Sequence, residues 1–415
     1  VFKGLSFPVI SRCRDMTIKD FSFENKYILP LPPHSDISSG MVFQEAQPIN
    51  ADTGYNLIYH APVSGVVVDI FCRDNMKYMN FHRSENAPGH AYERLEPLIK
   101  TSDALINEIR ISGITGISEE NSLTYQKLQQ AKNKVHTVVI NAVETVPFLT
   151  GEYCLMMEKT KEILLGAEYI RYITSAEKVI IVIPKNKVLR AHLEEMSSRA
   201  TRFTIEELSV GYPVAYERFL IAQLTGIELP FSRDSIESKI IVHRPSTLLA
   251  VSEALLFGKP LIDRVITVDG AFAAISGNFR IKLGTPISSF MRPYSDADSY
   301  VIINGSPLSG TLVNPYLGID KNMQSVLIFT PLESPEEQDC IRCGLCSHYC
   351  PMRLQPFRLI DLVRNNEINA AKNNGLLECI DCNACSYVCP SFIPLGPAIF
   401  NQKQSIIQES WNVPY

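Results

Sequence analysis

Nowhere in its 415 residues does this chain run through eighteen or more consecutive apolar residues. A helix that crosses a bilayer needs about twenty, so no spanning segment is expected. The opening stretch, Val1 to Arg14, lacks the basic n-region, apolar h-region and small-residue cleavage site of a secretory leader, and none is expected. An excess of positive charge is missing as well. With 39 Lys and Arg against 44 Asp and Glu, the net charge of −5 excludes a nucleic-acid binder that works through bulk electrostatics. Scattered cysteines are few: eight of the eleven fall between Cys340 and Cys389, at spacings that suit metal, which excludes a secreted disulfide framework and points to a reducing cytosol.

What is present is enough apolar material, 46% of residues against 20% charged, to fold. The length suggests about two to four domains. Up to about residue 85 the chain reads as short strands: FKGLSFPVI, KYILPLPP and YHAPVSGVVVDIFC, the last a turn at His60 to Gly65 feeding a strand. This suggests a small β-domain like a barrel sandwich, with no lysine at a hairpin tip to carry a swinging prosthetic group. From about residue 100 strands and helices alternate. Strands are read at 135–143, 178–184 and 239–245, and helices at 152–172, 187–199 and 246–256. Such alternation implies βαβ units around a mainly parallel sheet. Between Gly258 and about Thr330 strands return, punctuated by Gly-Asn, Gly-Thr-Pro and Asn-Gly-Ser-Pro, which suits a small β-grasp-like module. The acidic stretch Glu333 to Glu337 reads as a linker or helix start.

Cys340, Cys343, Cys346 and Cys350, followed by Pro351, form a CxxCxxCxxxCP run, and Cys379, Cys382, Cys385 and Cys389, followed by Pro390, repeat it. Three thiolates two residues apart can wrap one iron–sulfur cubane while the fourth points away, and in two-cluster ferredoxins that fourth cysteine serves the other cluster. The expected sets are Cys340, Cys343, Cys346 and Cys389 for one [4Fe–4S] cluster and Cys379, Cys382, Cys385 and Cys350 for the other. Zinc would show two CxxC pairs around four ligands, without two proline-closed runs. Between the runs, RLIDLVRNNEINAAKNNGLL has a helical period ending at Asn374-Gly375, a C-cap signal, so a helical cluster module is expected. Cys13, Cys72 and Cys154 stand alone and read as small buried hydrophobes. His60 has no ligand-spaced neighbour and reads as a packing residue at a turn.

This order of segments resembles the RnfC family, the family of one subunit of the Rnf electron-transport complex, over nearly the whole chain. FKGLSFP, HAPVSGVV, VVINAVETVPFLTGEYCLM, YPVAYERFLIAQLTGIELP, FGKPLIDRVITVDG and GNFRIKLGTPISSF carry the resemblance together with the cysteine runs. It implies four domains: a barrel-sandwich-like β-domain over 1–95 and a Rossmann-like α/β domain over 96–260, similar to the FMN- and NADH-binding subunit of complex I. A β-grasp module of the SLBB type over 261–332 and a helical two-cluster ferredoxin-like domain over 333–415 follow.

The family's flavin loop, GxxGxGGAxFPTxxKL, corresponds to Gly113 through Leu128. Gly113, Gly116 and Lys127 are kept there, and Asn141 and Glu144 are kept in the following NxxE stretch, as FMN and NAD positions. Read without the family, Gly113, Gly116 and Lys127 are a surface turn and a solvated helix. The glycine core that lets a backbone approach a phosphate has become Ser118-Glu119-Glu120, Phe-Pro has become Ser122-Leu123, a glutamate has become Val146, and Pro-Gln-Gly reads Pro213-Val214-Ala215. Bulk and negative charge at a site for an anionic cofactor predict that FMN and NAD binding is impaired. Glu119 and Glu120 otherwise read as a solvated first helical turn.

The resemblance further implies a peripheral subunit on the cytoplasmic face of the inner membrane. Its partners would be other membrane subunits, and ferredoxin or flavodoxin would be an electron carrier. The other readings are a soluble reductase of the cobalamin-reductase type and a non-catalytic electron-relay or docking subunit.

Overall fold

The computed structural model describes residues 4–7, 16–22, 25–32, 35–50, 56–84, 90–95, 100–117, 123–197, 202–209, 211–230, 233, 235–292, 300–331 and 335–411. Cys13, the core of the altered loop at Ser118, Glu119, Glu120 and Ser122, and the linker residues Glu333 and Ser334 lie outside them.

Three sheets form the body. The first is antiparallel, in the order Lys26–Leu31, Met76–Arg83, Gly65–Arg73, Val42–Phe43. Its central hairpin closes through Asp74 and Asn75, both at positive φ (50° and 61°), as a two-residue turn matched to strand twist requires. The second is wholly parallel, ordered Phe203–Leu208, Lys178–Pro184, Thr137–Asn141, Ile240–His243. Its strand TVVIN is buried at every position, the pattern of a strand covered on both faces. The helical stretch expected at 152–172 is two helices, Gly151–Glu158 and Thr160–Thr174, because Lys159 leaves helical backbone at φ −123°, ψ 27°.

The third sheet holds six strands, in the order Ile18–Phe21, Gly277–Lys282, Asp263–Asp269, Ser325–Phe329, Val301–Asn304, Thr311–Leu312. One strand of the segment 1–95 pairs outside the first sheet. Ile18–Phe21 leaves the first sheet and pairs in parallel with Gly277–Lys282. A four-residue strand carries no mark of its partner, and the open edge beside Gly277–Lys282 supplied one. The C-terminal segment is helical, with Pro356–Arg364, Ile368–Asn373 and Leu395–Trp411 around two short turns of helix. The single period expected between the cysteine runs breaks at Asn366, which is at φ 58°, and ends as expected at Asn374, with Gly375 left-handed at φ 86°.

One apolar core runs from Tyr27 and Phe81 through Val138 and Ile163 to Ile266 and Val326, joining all three sheets. A second joins Val139, Val182, Tyr212 and Leu220 to Cys382 and Ala384, which docks the second cysteine run on the parallel sheet. Helices Thr160–Thr174 and Pro245–Phe257 cross at Gly166, where an added Cβ would lie 2.1 Å from the Leu248 carbonyl oxygen. A backbone atom cannot swing aside. Gly166→Val is therefore expected to cost about 3 kcal/mol, read by urea denaturation, with the helices forced apart.

Candidate metal centre

The two cysteine runs fold the same way. Arg342 and Asp381, Gly344 and Asn383, and Arg353 and Phe392 stand at the same offset as Cys340 and Cys379, and all six have positive φ, between 53° and 75°. A left-handed residue before and after each middle cysteine turns successive N–H groups toward one side, which makes a concave nest for anionic sulfur. Each run continues into one short turn, Leu345–His348 or Ala384–Tyr387, and then a longer helix, Pro356–Arg364 or Leu395–Trp411.

The donor set fits an iron–sulfur centre. Leu354 N donates to Cys350 Sγ at 3.3 Å, and Asp381 N to Cys379 Sγ at 3.4 Å. Burial pushes the thiols of Cys379 and Cys385 up to about 12 and that of Cys382 well above the usual range. The neighbours that raise Cys382 further are Cys379, Cys385 and Cys350, and for Cys385 the leading neighbour is Cys350. Cys346, from the first run, also acts on Cys385, and the leading cysteine neighbour of Cys350 is Cys346 of its own run. Buried sulfurs that repel one another as thiolates need a multiply charged cation to stay ionised. Among the described residues no three Cys, His, Asp or Glu side chains converge on one point as they are oriented. Cys340 and Cys343 are exposed. Of the lone cysteines, Cys154 is buried as expected, with Asn278 Nδ2 3.1 Å from its sulfur. Cys72 is exposed on the outer face of its hairpin strand, against expectation.

Beside the second run lies a cavity of about 270 Å³, walled by Val143, Glu144, Val146, Ala215 and Tyr216 from the α/β domain, by Tyr212, and by the 304–311 turn of the six-stranded sheet. The structure brings together here Glu144, Val146 and Ala215, three positions singled out in two separate stretches. The space is slightly below the roughly 300–1,000 Å³ usual for small-molecule sites. Burial pushes Glu144 up to about 7, with the charge of Glu152 adding to the effect and N–H donors from Tyr153 and Glu152 opposing it.

The other predicted positions stand behind this wall. Asn141 is buried and donates from Nδ2 to the Ala215 carbonyl at 2.8 Å. Lys127 is buried and not a solvated helix residue. Its ammonium pairs with Glu217 at 2.8 Å and donates to the Val242 carbonyl at 3.0 Å. Gly113 is no surface turn either. It is buried at φ 63°, and a Cβ there would strike Ile58 O at 2.1 Å. Gly116 is half-buried beside it.

Sequence reasoning missed two buried cations that hold the start of this loop. Lys321, 1% exposed, donates to the Gly113 carbonyl at 2.6 Å and the Ile58 carbonyl at 2.7 Å. Arg264, 3% exposed, donates to the carbonyls of Thr115 at 2.7 Å and Lys321 at 2.8 Å. His60 packs next to them, its imidazole pushed down to about 3 by burial and by Lys321. Tyr212 and Tyr216 were also missed as site residues. Lys321 lies in an Asp-Lys-Asn turn that reads as solvated, and no local signal marks it.

Comparison with known proteins agrees with this geometry. Residues 109–253 match the family described as the Nuo51 FMN-binding domain, and residues 336–393 the 4Fe-4S dicluster domain. The RnfC-type subunit of the ion-translocating oxidoreductase complex of Buchnera aphidicola subsp. Acyrthosiphon pisum is 31% identical over 380 residues, covering 87% of this chain and 79% of that protein. The corresponding subunit of Yersinia enterocolitica is 32% identical, covering 89% and 56%. That of Haemophilus influenzae strain 86-028NP is 31% identical, covering 98% and 65%. The chain thus spans between about half and four-fifths of the length of these relatives. A solved NAD+-reducing [NiFe]-hydrogenase in the air-oxidized state shares the fold, at a TM-score of 0.50 and 16% identity, over 75% of this chain and 62% of its own. No helix among the described residues is long and apolar enough to cross a membrane. With a mixed α/β body, a Rossmann-like FMN-type domain and a helical iron–sulfur domain in this order, the chain belongs to the RnfC family of subunits of the ion-translocating oxidoreductase complexes.

Proposed function

We propose that the chain is the peripheral electron-transfer subunit of an Rnf-type complex, carrying electrons through two [4Fe–4S] clusters and not through a working nucleotide site of its own. The observation that supports this most is the matched backbone of the two cysteine runs, and the sets proposed are Cys350 with Cys379, Cys382 and Cys385, and Cys389 with Cys340, Cys343 and Cys346. Each cluster, when bound, takes up and releases single electrons. The chain's own part is to bind, orient and shield. Its left-handed nests present N–H groups to sulfur, the apolar cluster around Val139, Val143 and Ala384 keeps water from the second set, and the exposed Cys340 and Cys343 leave the first set open to a partner.

On this reading the subunit lies on the cytoplasmic face of the inner membrane, held by the membrane subunits, and exchanges electrons with a ferredoxin- or flavodoxin-type carrier. The front sheets, barrel-sandwich-like and β-grasp-like, serve as docking scaffold. Impaired FMN and NAD binding follows from the apolar Val146 and Ala215 and the small volume of the cavity. Anaerobic reconstitution followed by iron, sulfide and flavin analysis tests it. About eight irons per chain, FMN well below one per chain and no bleaching by NADH are expected. One tightly bound FMN with NADH-driven bleaching would overturn the impaired-site part, and about four irons would overturn the two-cluster part.

A further inference from the structure

The two runs share a backbone but not their surroundings. In the second run, Lys403 of the helix Leu395–Trp411, 6% exposed, donates from Nζ to the Cys379 carbonyl at 2.6 Å and pairs with Asp381 at 2.7 Å. Tyr212, 1% exposed and reaching across from the α/β domain, donates from Oη to the Cys382 carbonyl at 2.6 Å. Ser309 Oγ lies 3.2 Å from that hydroxyl and accepts from Tyr216 Oη at 2.7 Å, and Asn383 Nδ2 donates to the Leu308 carbonyl at 2.7 Å, so the 304–311 turn braces the same loop. Among the described residues no side chain donates to the carbonyls of Cys340 or Cys343, the equivalents in the first run. Arg364, at the offset equivalent to Lys403, pairs with Glu337 instead, and both are exposed.

We propose that Lys403 and Tyr212 are positioning residues for the second-run cluster alone, holding its loop by the carbonyls of Cys379 and Cys382 and favouring its reduced state. This rests on the two-cluster reading above. One-electron reduction adds one negative charge to a centre and transfers no atom, and neither Lys403 nor Tyr212 gives up its proton. A donor on a peptide carbonyl polarises that peptide, so the N–H on its far side, at Ile380 or Asn383, becomes a stronger partner for the negative centre. The Lys403 ammonium also neutralises Asp381, whose carboxylate would otherwise face the loop unpaired. Both effects stabilise the added charge.

The test uses the full chain, reconstituted anaerobically, with iron counted and each centre titrated with dithionite under EPR. Signals are assigned with the double variant Cys346→Ala, Cys389→Ala, which keeps the second-run centre alone. Lys403→Met is expected to change the reduced-to-oxidised ratio of the second-run centre about tenfold at fixed potential, a fall of ~59 mV for a one-electron couple. Tyr212→Phe is expected to move it the same way by a smaller factor, and Lys403→Arg to restore it. The first-run centre should not move in any of these, and Arg364→Met should move neither. Full iron with an unmoved second-run centre in both Lys403→Met and Tyr212→Phe, or an equal shift of both centres, overturns the proposal. If Lys403→Met loses iron, Tyr212→Phe decides alone, because it deletes a single oxygen: an unmoved midpoint overturns the proposal and a selective fall supports it. A wild-type count of about four irons would instead count against the two-cluster reading.

Discussion

Replacing Cys346 and Cys389 together by alanine is expected to halve the iron of the reconstituted chain, from about eight to about four per chain, while replacing Cys346 and Cys350 together removes nearly all of it. The two variants each lose two cysteines and differ only in the partner of Cys346. If the fourth cysteine of each run crosses over, the first pair strips two ligands from one cluster and leaves the other whole, and the second pair takes one ligand from each. Cys346 and Cys350 come from a single run, so ligation within runs predicts the reverse. Crossing is the arrangement expected of two such runs in a two-cluster ferredoxin-like domain. Iron per chain, read together with the number of EPR signals, decides. Loss of all iron in the Cys346–Cys389 pair, with half kept in the Cys346–Cys350 pair, would sink the assignment.

The second large effect concerns the buried lysine that ties three segments together. Lys321→Ala is expected to destabilise the fold by about 3–5 kcal/mol, because it orphans two buried carbonyls, Ile58 and Gly113, at about 1–3 kcal/mol each, and leaves a void. Lys321→Met refills most of the volume and isolates the cost of the orphaned carbonyls. The ionisation of Lys321 adds a signature that packing alone would not give. Burial pulls its pKa from 10.5 down to about 7, with Asp320 opposing the fall and Arg264 adding to it. Between about pH 7 and 10.5 the unfolded chain binds this proton and the folded chain does not, so this group's contribution to stability rises with pH across that window. Below pH 7 both states hold the proton and the dependence vanishes. The stability gap between wild type and Lys321→Met, measured by urea denaturation at about pH 7 and about pH 9, should therefore widen in favour of the wild type. A gap that stays constant would mean that the ammonium is not desolvated as the structure implies.

Much of the architecture is legible from local pattern. The continuous apolar stretches VVIN, VIIVIP and IIVH read as buried parallel strands, and they are. A helical period between the cysteine runs reads correctly apart from the break at Asn366, where the Asn365-Asn366 pair tolerates the left-handed backbone. The cavity is legible only in pieces. Glu144, Val146 and Ala215 stand out against the family pattern, but their meeting beside Cys382 is a property of the fold. Lys127 reads as a solvated helix residue because lysine usually is one. Its burial depends on Glu217, ninety positions away. Cys72 fails the other way: a small thiol reads as core, and strand alternation turns it outward.

The sequence by itself determined the chemistry that can occur: eight cysteines in two proline-closed runs specify iron–sulfur ligation, because ligand type and local spacing lie within a few residues and need no tertiary partner. It likewise determined the α/β body, since periods of two and 3.6 residues are written locally. Tertiary structure alone decided that Ile18–Phe21 completes the six-stranded sheet, and that Lys321, Tyr212 and Lys403 donate to backbone carbonyls of other segments. A buried donor takes its role from whichever carbonyl the packing leaves unsatisfied, and that is settled only when distant segments meet.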